Sequence, residues 1–306
     1  MNLVWRVLAA VALMATAACA LPVGDDDDRP VVLTTFTVTA DIARAVAGDH
    51  LRVVSITDPG AEIHGYEPTA SDVVDAAKAD LILDNGLNLE AWFAQFVADA
   101  EADHVVVSRD ARPIPIAARA GTEPAADAPP NPHAWMSPLD AMGYVDVIAE
   151  AFAELDSEHA DDYAANAESY KTEIQAVHDD LLAAVATVPE SQRALVTCEG
   201  AFSYLARDAG LEEFYIWPVN SERQATGQQI ADAIEFVRER SVPAVFCEST
   251  VSDDAMREVV AATDAVFGGT LYVDSLSKPD GPVPTYLDLL RHDVDTIVTG
   301  LTGGAA

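Results

Sequence analysis

The sequence predicts two parallel-sheet α/β lobes joined by one long rigid helix. Three observations predict it. β-rich runs alternate with helical patterns up to about residue 155, the alternation resumes after Pro189, and an unbroken three-four apolar spacing lies between them. In that middle stretch, from Asp156 to Pro189, one helical face carries Tyr163, Ala167, Tyr170, Ile174, Val177, Leu181, Ala184 and Val188. Charges such as Asp161, Asp162, Glu168, Glu173, Asp179 and Asp180 fill the other faces. Asp156 or Ser157 is the expected cap and Pro189 the stop. A helix this long spans roughly 45 Å, more than one small lobe needs. A long surface helix on a single domain is the alternative, but a single domain does not need the alternation on both sides.

The elements follow in order. Val31–Val38 reads as a strand, Ala40–Ala47 as a helix and Leu51–Ile56 as a second strand. Asp58-Pro59-Gly60 then opens a loop that carries His64. Ser71–Lys78 is helical, Ala79–Leu83 a strand, Leu89–Ala100 helical and His104–Ser108 a fourth strand. Ala111–Pro130, rich in Pro and Ala and without a period, is expected to be a mobile loop. A helix from about Ser137 presents Leu139, Met142, Val145, Ile148, Phe152 and Leu155. Beyond Pro189 the predicted strands are Arg193–Cys198, Phe214–Trp217, Ala244–Cys247 and Gly269–Val273. The helices between and after them are Ala201–Ala209, Gly227–Glu239, Asp253–Thr263 and Tyr286–Leu301. The chain thus divides into a signal peptide (1–18), an acidic tether (19–30), an N-terminal lobe (31–155), the linking helix (156–188) and a C-terminal lobe (189–306).

The signal reading rests on Arg6, followed by an apolar run, Val7–Ala18, too short to cross a bilayer. Thr16-Ala17-Ala18-Cys19 resembles a lipobox, with Thr16 where an aliphatic residue is usual. Cys19 would then carry the lipid and anchor the protein to the outer face of the cytoplasmic membrane; plain cleavage after a small residue is the alternative. Either way the mature protein works outside the cytoplasm. A net charge of −34, from 51 acids against 17 bases, excludes nucleic acid as a partner for the protein body and favours cations. Cys198 and Cys247 are expected to lie close together, either bonded or as two small buried residues.

Of the seven histidines, His50, His104, His159, His178 and His292 fall in turns, strands or polar helix faces and read as structural. His64 and His133 lie in loops on the carboxyl side of a strand, the edge where open α/β sheets bind ligands. Glu199, Glu248 and Asp274 follow strand ends in the second lobe. Two imidazoles with two carboxylates suit a divalent metal in the cleft between lobes. The sequence holds no His-Glu-x-x-His, Walker loop or Gly-x-Ser-x-Gly to suggest an enzyme.

Longer motifs sharpen this. Ile63-His64-Gly65-Tyr66-Glu67-Pro68 resembles a loop usually written Pro-His-x-Tyr-Glu-Pro, with Ile63 for the proline. Asn131-Pro132-His133-Ala134-Trp135-Met136-Ser137-Pro138 resembles Asp-Pro-His-x-Trp-Leu-Ser-Pro, with Asn131 for the aspartate. Thr34-Thr35-Phe36, Phe246-Cys247-Glu248-Ser249-Thr250 and Tyr272-Val273-Asp274-Ser275-Leu276 match further signatures. Nearly end to end, the chain resembles the metal-specific solute-binding proteins of ABC importers, which handle manganese, zinc and iron. The resemblance implies His64, His133, Glu199 and Asp274 as ligands, two from each lobe, with Glu248 and Trp135 supporting them from behind. Glu199 stands where zinc-specific members usually have histidine, and the loop before His133 has no histidine, so Mn(II) is the expected cargo, Fe(II) next and Zn(II) a competitor. The implied partner is an ABC permease, and the implied form a monomer. An exported metallohydrolase and a metal-stabilised surface adhesin are the rival readings.

Overall fold

A computed structural model describes residues 27–93, 102–219 and 225–303. The expected signal peptide, Cys19 and most of the tether lie outside the described residues, as does most of the helix expected over Leu89–Ala100, whose described start is a turn. The first lobe has strands β1 (Val31–Thr34), β2 (Arg52–Ser55), β3 (Leu81–Asp84) and β4 (Asp103–Val106) in one parallel sheet ordered β2-β1-β3-β4. Helices α1 (Thr37–Ala47) and α2 (Ala70–Ala76) connect them. The strand predicted over Val31–Val38 stops at Thr34, where its ladder with β2 and β3 ends. Despite their β-branched side chains, Thr37–Thr39 then begin α1; tertiary packing overrides their propensity.

The second lobe holds β5 (Ala194–Glu199), β6 (Glu212–Trp217), β7 (Ala244–Glu248) and β8 (Val266–Leu271), in parallel pairs β5–β6 and β7–β8, with β5 lying alongside β7. Helices α5 (Ser203–Ala209), α6 (Gly227–Arg240), α7 (Asp254–Ala262) and α8 (Tyr286–Leu301) cover it. Side chains alternate across the strands: Val196, Cys198, Val245 and Cys247 enter one core, Leu195, Ala244 and Phe246 the other. The alternation sends Glu199 and Glu248 to the side opposite the cysteines, toward the first lobe.

Between the lobes run α3 (Pro138–Leu155) and α4 (Ala160–Val185). Ser137 caps α3 through its hydroxyl, with Pro138 at the first helical position. The linking helix is shorter than Asp156–Pro189. Asp156 instead closes α3, Ser157–His159 form a 3₁₀ turn, and no side chain caps α4, so neither expected cap serves. Its 26 residues rise about 39 Å. The buried face is the predicted one with Val185 in place of Ala184, and His178 joins it. In α3, Tyr144, Ala141 and Ala151 face inward, whereas Leu139 is exposed. α4 packs on α3 and α1 from one lobe and on α8 from the other, so one apolar core runs continuously from β1 through α4 to β7 and α8. Among the described residues no helix is long and apolar enough to cross a membrane.

Ile174, fully buried at the middle of α4, tests that continuity. Ile174→Ala should cost about 2–5 kcal/mol of unfolding free energy in urea, in a single transition. Two separated transitions, or no loss, would show that the helix does not tie the lobes into one core.

Candidate metal centre

Three loops and one strand end bring the site together at the carboxyl ends of the strands. His64 sits in the loop after β2. Its backbone is fixed by Glu62, whose carboxylate accepts from the amides of His64 (2.6 Å) and Gly65 (2.8 Å), and by Trp92 Nε1, which donates to the Ile63 carbonyl at 3.1 Å. His133 follows the long loop after β4. Asn85 Nδ2 donates to the preceding Pro132 carbonyl at 3.1 Å, and Asn85 is itself held by Tyr144 Oη (2.6 Å) and by the buried carboxylate of Glu90, which accepts from the Asn85 amide at 2.7 Å. Neither Asn85 nor Glu90 was picked out from sequence: Asn85 looks like an ordinary turn residue and Glu90 like a polar residue of the helix predicted over Leu89–Ala100 until Pro132 is placed beside them.

The loop Ala111–Pro130 is not the mobile segment expected. Ile116 donates its amide to Pro129 (2.9 Å), Asn131 to Ile114 (2.7 Å) and Ile114 to Tyr204 Oη (3.1 Å); Tyr215 Oη donates to Ala117 at 2.8 Å, and Arg119 pairs with Asp232. Proline-rich composition conceals the anchors to Tyr204, Tyr215 and Asp232 because they depend on the other lobe.

All three acids sit differently from the sequence reading. Glu199 and Glu248 are the last residues of their strands, and Asp274 lies three residues past β8, which ends at Leu271. The Tyr272 amide leaves the ladder to donate to Asp293 Oδ1 at 2.9 Å. Upstream, β8 is shifted by an irregularity opposite Val245 and Phe246, and Gly268 is needed there: a Cβ would come within 2.4 Å of the Phe246 ring.

At the centre, His64 Nε2 and His133 Nε2 face each other at 3.1 Å. Asp274 Oδ1 lies 3.3 Å from His133 Nε2 and 3.7 Å from His64 Nε2. One ligand atom each from His64, His133 and Glu199 falls within a 4.8 Å span, and so does one each from Glu62, His64 and Asp274. The structure therefore brings together all four residues singled out. His133, Glu199 and Asp274 are buried and His64 nearly so. Burial disfavours an imidazolium at His133 and lowers its pKa, against the pull of Asp274. Burial alone would raise the Asp274 carboxyl; His64 and His133 overcome this and hold it below the usual range. The result is a buried imidazole whose charged form is disfavoured, beside a carboxylate.

Glu248 and Trp135 hold this cluster from outside. The Glu248 carboxyl accepts from the Glu199 amide at 3.2 Å, and burial, then the charge of Glu199, drives its pKa well up. Trp135 Nε1 donates to the Val273 carbonyl at 3.1 Å, and Tyr286 Oη donates to the Trp135 carbonyl. Trp135 thus ties the turn bearing His133 to the residue before Asp274. The remaining histidines lie elsewhere: His50 beside Asp162, His104 beside Asp84, His159 beside Asp156, His292 on the Thr270 carbonyl and His178 in the core.

With this geometry in hand, the family described as "Zinc-uptake complex component A periplasmic" matches residues 32–300. The chain belongs to the periplasmic zinc-uptake component A family. Members similar to it include the "Iron-binding protein YfeA" of Yersinia pestis, 46% identical over 97% of this chain and 94% of that protein. The "Manganese-binding lipoprotein MntA" of Halalkalibacterium halodurans is 33% identical over 97% of each. The Mn-bound periplasmic metal binding protein from Candidatus Liberibacter asiaticus, 38% identical, superposes with a TM-score of 0.82 over 89% of this chain and 100% of that one. Family membership makes this chain an extracytoplasmic metal-binding solute-binding protein of the ABC-importer type.

Cys198 and Cys247 are joined by a disulfide between β5 and β7, whose Cα atoms are 4.9 Å apart there. It also takes away the third cluster of possible ligands, Cys198, Cys247 and Glu248, because bonded sulfurs are not thiolates. Alkylation of the unfolded, unreduced chain should label neither residue, and prior reduction should expose both. Labelling of both without reductant would show two free thiols.

Proposed function

We propose that the protein captures Mn(II) outside the cytoplasm, holds it through His64, His133, Glu199 and Asp274, and delivers it to an ABC permease. The observation that carries this reading is that His64 Nε2, His133 Nε2 and Asp274 Oδ1 lie within 3.7 Å of one another, with a Glu199 oxygen within a 4.8 Å span of the two imidazoles, one pair from each lobe. Carboxylates favour harder ions such as manganese, and the disulfide withdraws the sulfur donors that would favour zinc. Fe(II) is the second reading, because the same donors suit it and a relative with 46% identity is named for iron. Zinc binds most nitrogen and oxygen sites more tightly than manganese, so selection among them rests on geometry and on which ion is available.

Capture and closure are one event in this reading. The ion bridges His64 and His133 of the first lobe to Glu199 and Asp274 of the second, and the shared core around α4 limits the motion to small shifts of the lobes. Docking on the permease would release the ion by drawing one pair away from the other. An anchored lipid at Cys19 would keep a monomer near that partner. An enzyme would need an open coordination position and a general base. Here four ligands fill the site, and the buried Glu248 carboxyl is engaged with the Glu199 backbone.

Competitive titration of the purified, metal-free protein tests this. Mn(II) should bind at one site, and His133→Ala should weaken it more than about 100-fold. Acid should weaken binding as well, since ligation needs neutral imidazoles. His133, with its pKa held below 6.5, stays competent as the pH falls past that value and is lost only further down. Affinity unchanged in His133→Ala would remove that histidine from the site.

A further inference from the structure

The seat of the His133 ring extends across the cleft into the second lobe. Asn131 Oδ1 accepts from His133 Nδ1 at 2.8 Å and from the His133 amide at 3.1 Å. Asn131 Nδ2 donates to the Gly200 carbonyl at 2.7 Å and to Ser203 Oγ at 3.1 Å. Ser203 Oγ donates to Glu213 Oε2 at 2.6 Å, and the other Glu213 oxygen accepts from the Phe202 amide at 3.1 Å. Glu213 sits on β6 in the wall of a cavity of about 310 Å³ that Asn131 and Ser203 also line.

The order of donors in this chain is fixed by chemistry. Glu213, engaged by an amide and a hydroxyl, acts as acceptor, so the Ser203 proton points to it. The Ser203 lone pair is then free for the Asn131 amide group, and it joins the Gly200 carbonyl, which accepts from Asn131 Nδ2, and the His133 amide, which donates to Asn131 Oδ1, in turning that carbonyl oxygen toward His133. An oxygen there requires a proton on Nδ1, which leaves the lone pair on Nε2, the atom that faces His64 and Asp274.

We propose that Glu213 is a positioning residue for the metal site, acting through Ser203 and Asn131 to hold His133 in the Nδ1–H tautomer with Nε2 ready for the ion. Asn131 is neutral, so the anionic end of the support lies three residues away from the ring rather than against it. Ser203 and Glu213 belong to the second lobe and His133 to the first. The chain is therefore complete only when the lobes meet. Burial pushes the Glu213 carboxyl up to about 7, so the anion at the end of this chain is the form favoured above neutrality.

The inference rests on the metal-binding reading above, and the experiment separates the two. Mn(II) affinity is measured by competitive titration for wild type, Ser203→Ala, Ser203→Thr, Glu213→Gln and the Ser203→Ala/Glu213→Gln double variant. The His133 tautomer is read in each metal-free protein from nitrogen-15 shifts of the ring. Ser203→Ala should lose about 10-fold in affinity and populate the Nε2–H tautomer. Glu213→Gln should shift both readouts the same way, Ser203→Thr should retain wild-type values, and the double variant should lose no more than Ser203→Ala alone. Additive losses, an unmoved tautomer, or reduced thermal stability with unchanged affinity would overturn the proposal while leaving the metal site standing. Failure of the wild type itself to bind Mn(II) would instead overturn both.

Discussion

Two imidazole nitrogens held 3.1 Å apart, beside a buried carboxylate, set the constraint on which the rest of the fold depends. A second lone pair facing the first is unfavourable unless a proton or a cation lies between them, and burial disfavours the proton at His133. In the proposed reading a divalent ion takes that place between the donors. Such a cluster is costly to assemble without its ion, so the surrounding polymer has to hold it. Much of what is buried nearby does so: Trp135 on Val273, Asn85 on Pro132, Glu248 on the Glu199 backbone and the disulfide behind them.

The seam between the lobes is polar around the candidate metal centre and apolar beneath it. Thr37 Oγ1 accepts from the Leu276 amide at 2.9 Å, Ser275 Oγ accepts from the Gly60 amide at 2.7 Å, and Asp41 accepts from the Tyr286 amide at 2.8 Å. Each of these bonds joins the first lobe to the stretch around Asp274 or to α8. Below them α4 shares its buried face with both lobes. Hydrogen bonds of this kind are each worth about 1 kcal/mol net. They can part and reform while the core stays intact, and that combination allows small motions at the ion without a loose hinge.

Much of the site was legible in the sequence because the signals were local. His64 and His133 follow strands and sit in motifs several residues long, and α/β sheets present such loops at one edge. Glu199 and Asp274 could be named from the same edge rule, yet the end of β8 was misplaced: the departure of Tyr272 toward Asp293 depends on a helix twenty residues later. The cap of α4 was misread because Asp156 serves Tyr163 and His159 instead, at 2.8 and 2.7 Å. The pairing of Cys198 with Cys247 required that β5 lie beside β7, which the order of strands along the chain does not reveal. The support of His133 by Ser203 and Glu213 was invisible for the same reason: its members are ordinary polar residues on elements distant in sequence.

The account stands on an ion shared between the two lobes. Anomalous diffraction at the manganese edge, from crystals of the Mn(II)-loaded protein, addresses it directly. The expected result is one peak within bonding distance of His64 Nε2, His133 Nε2 and carboxylate oxygens of Glu199 and Asp274. A peak bound only by residues of one lobe, or one lying away from the two imidazoles, would contradict it.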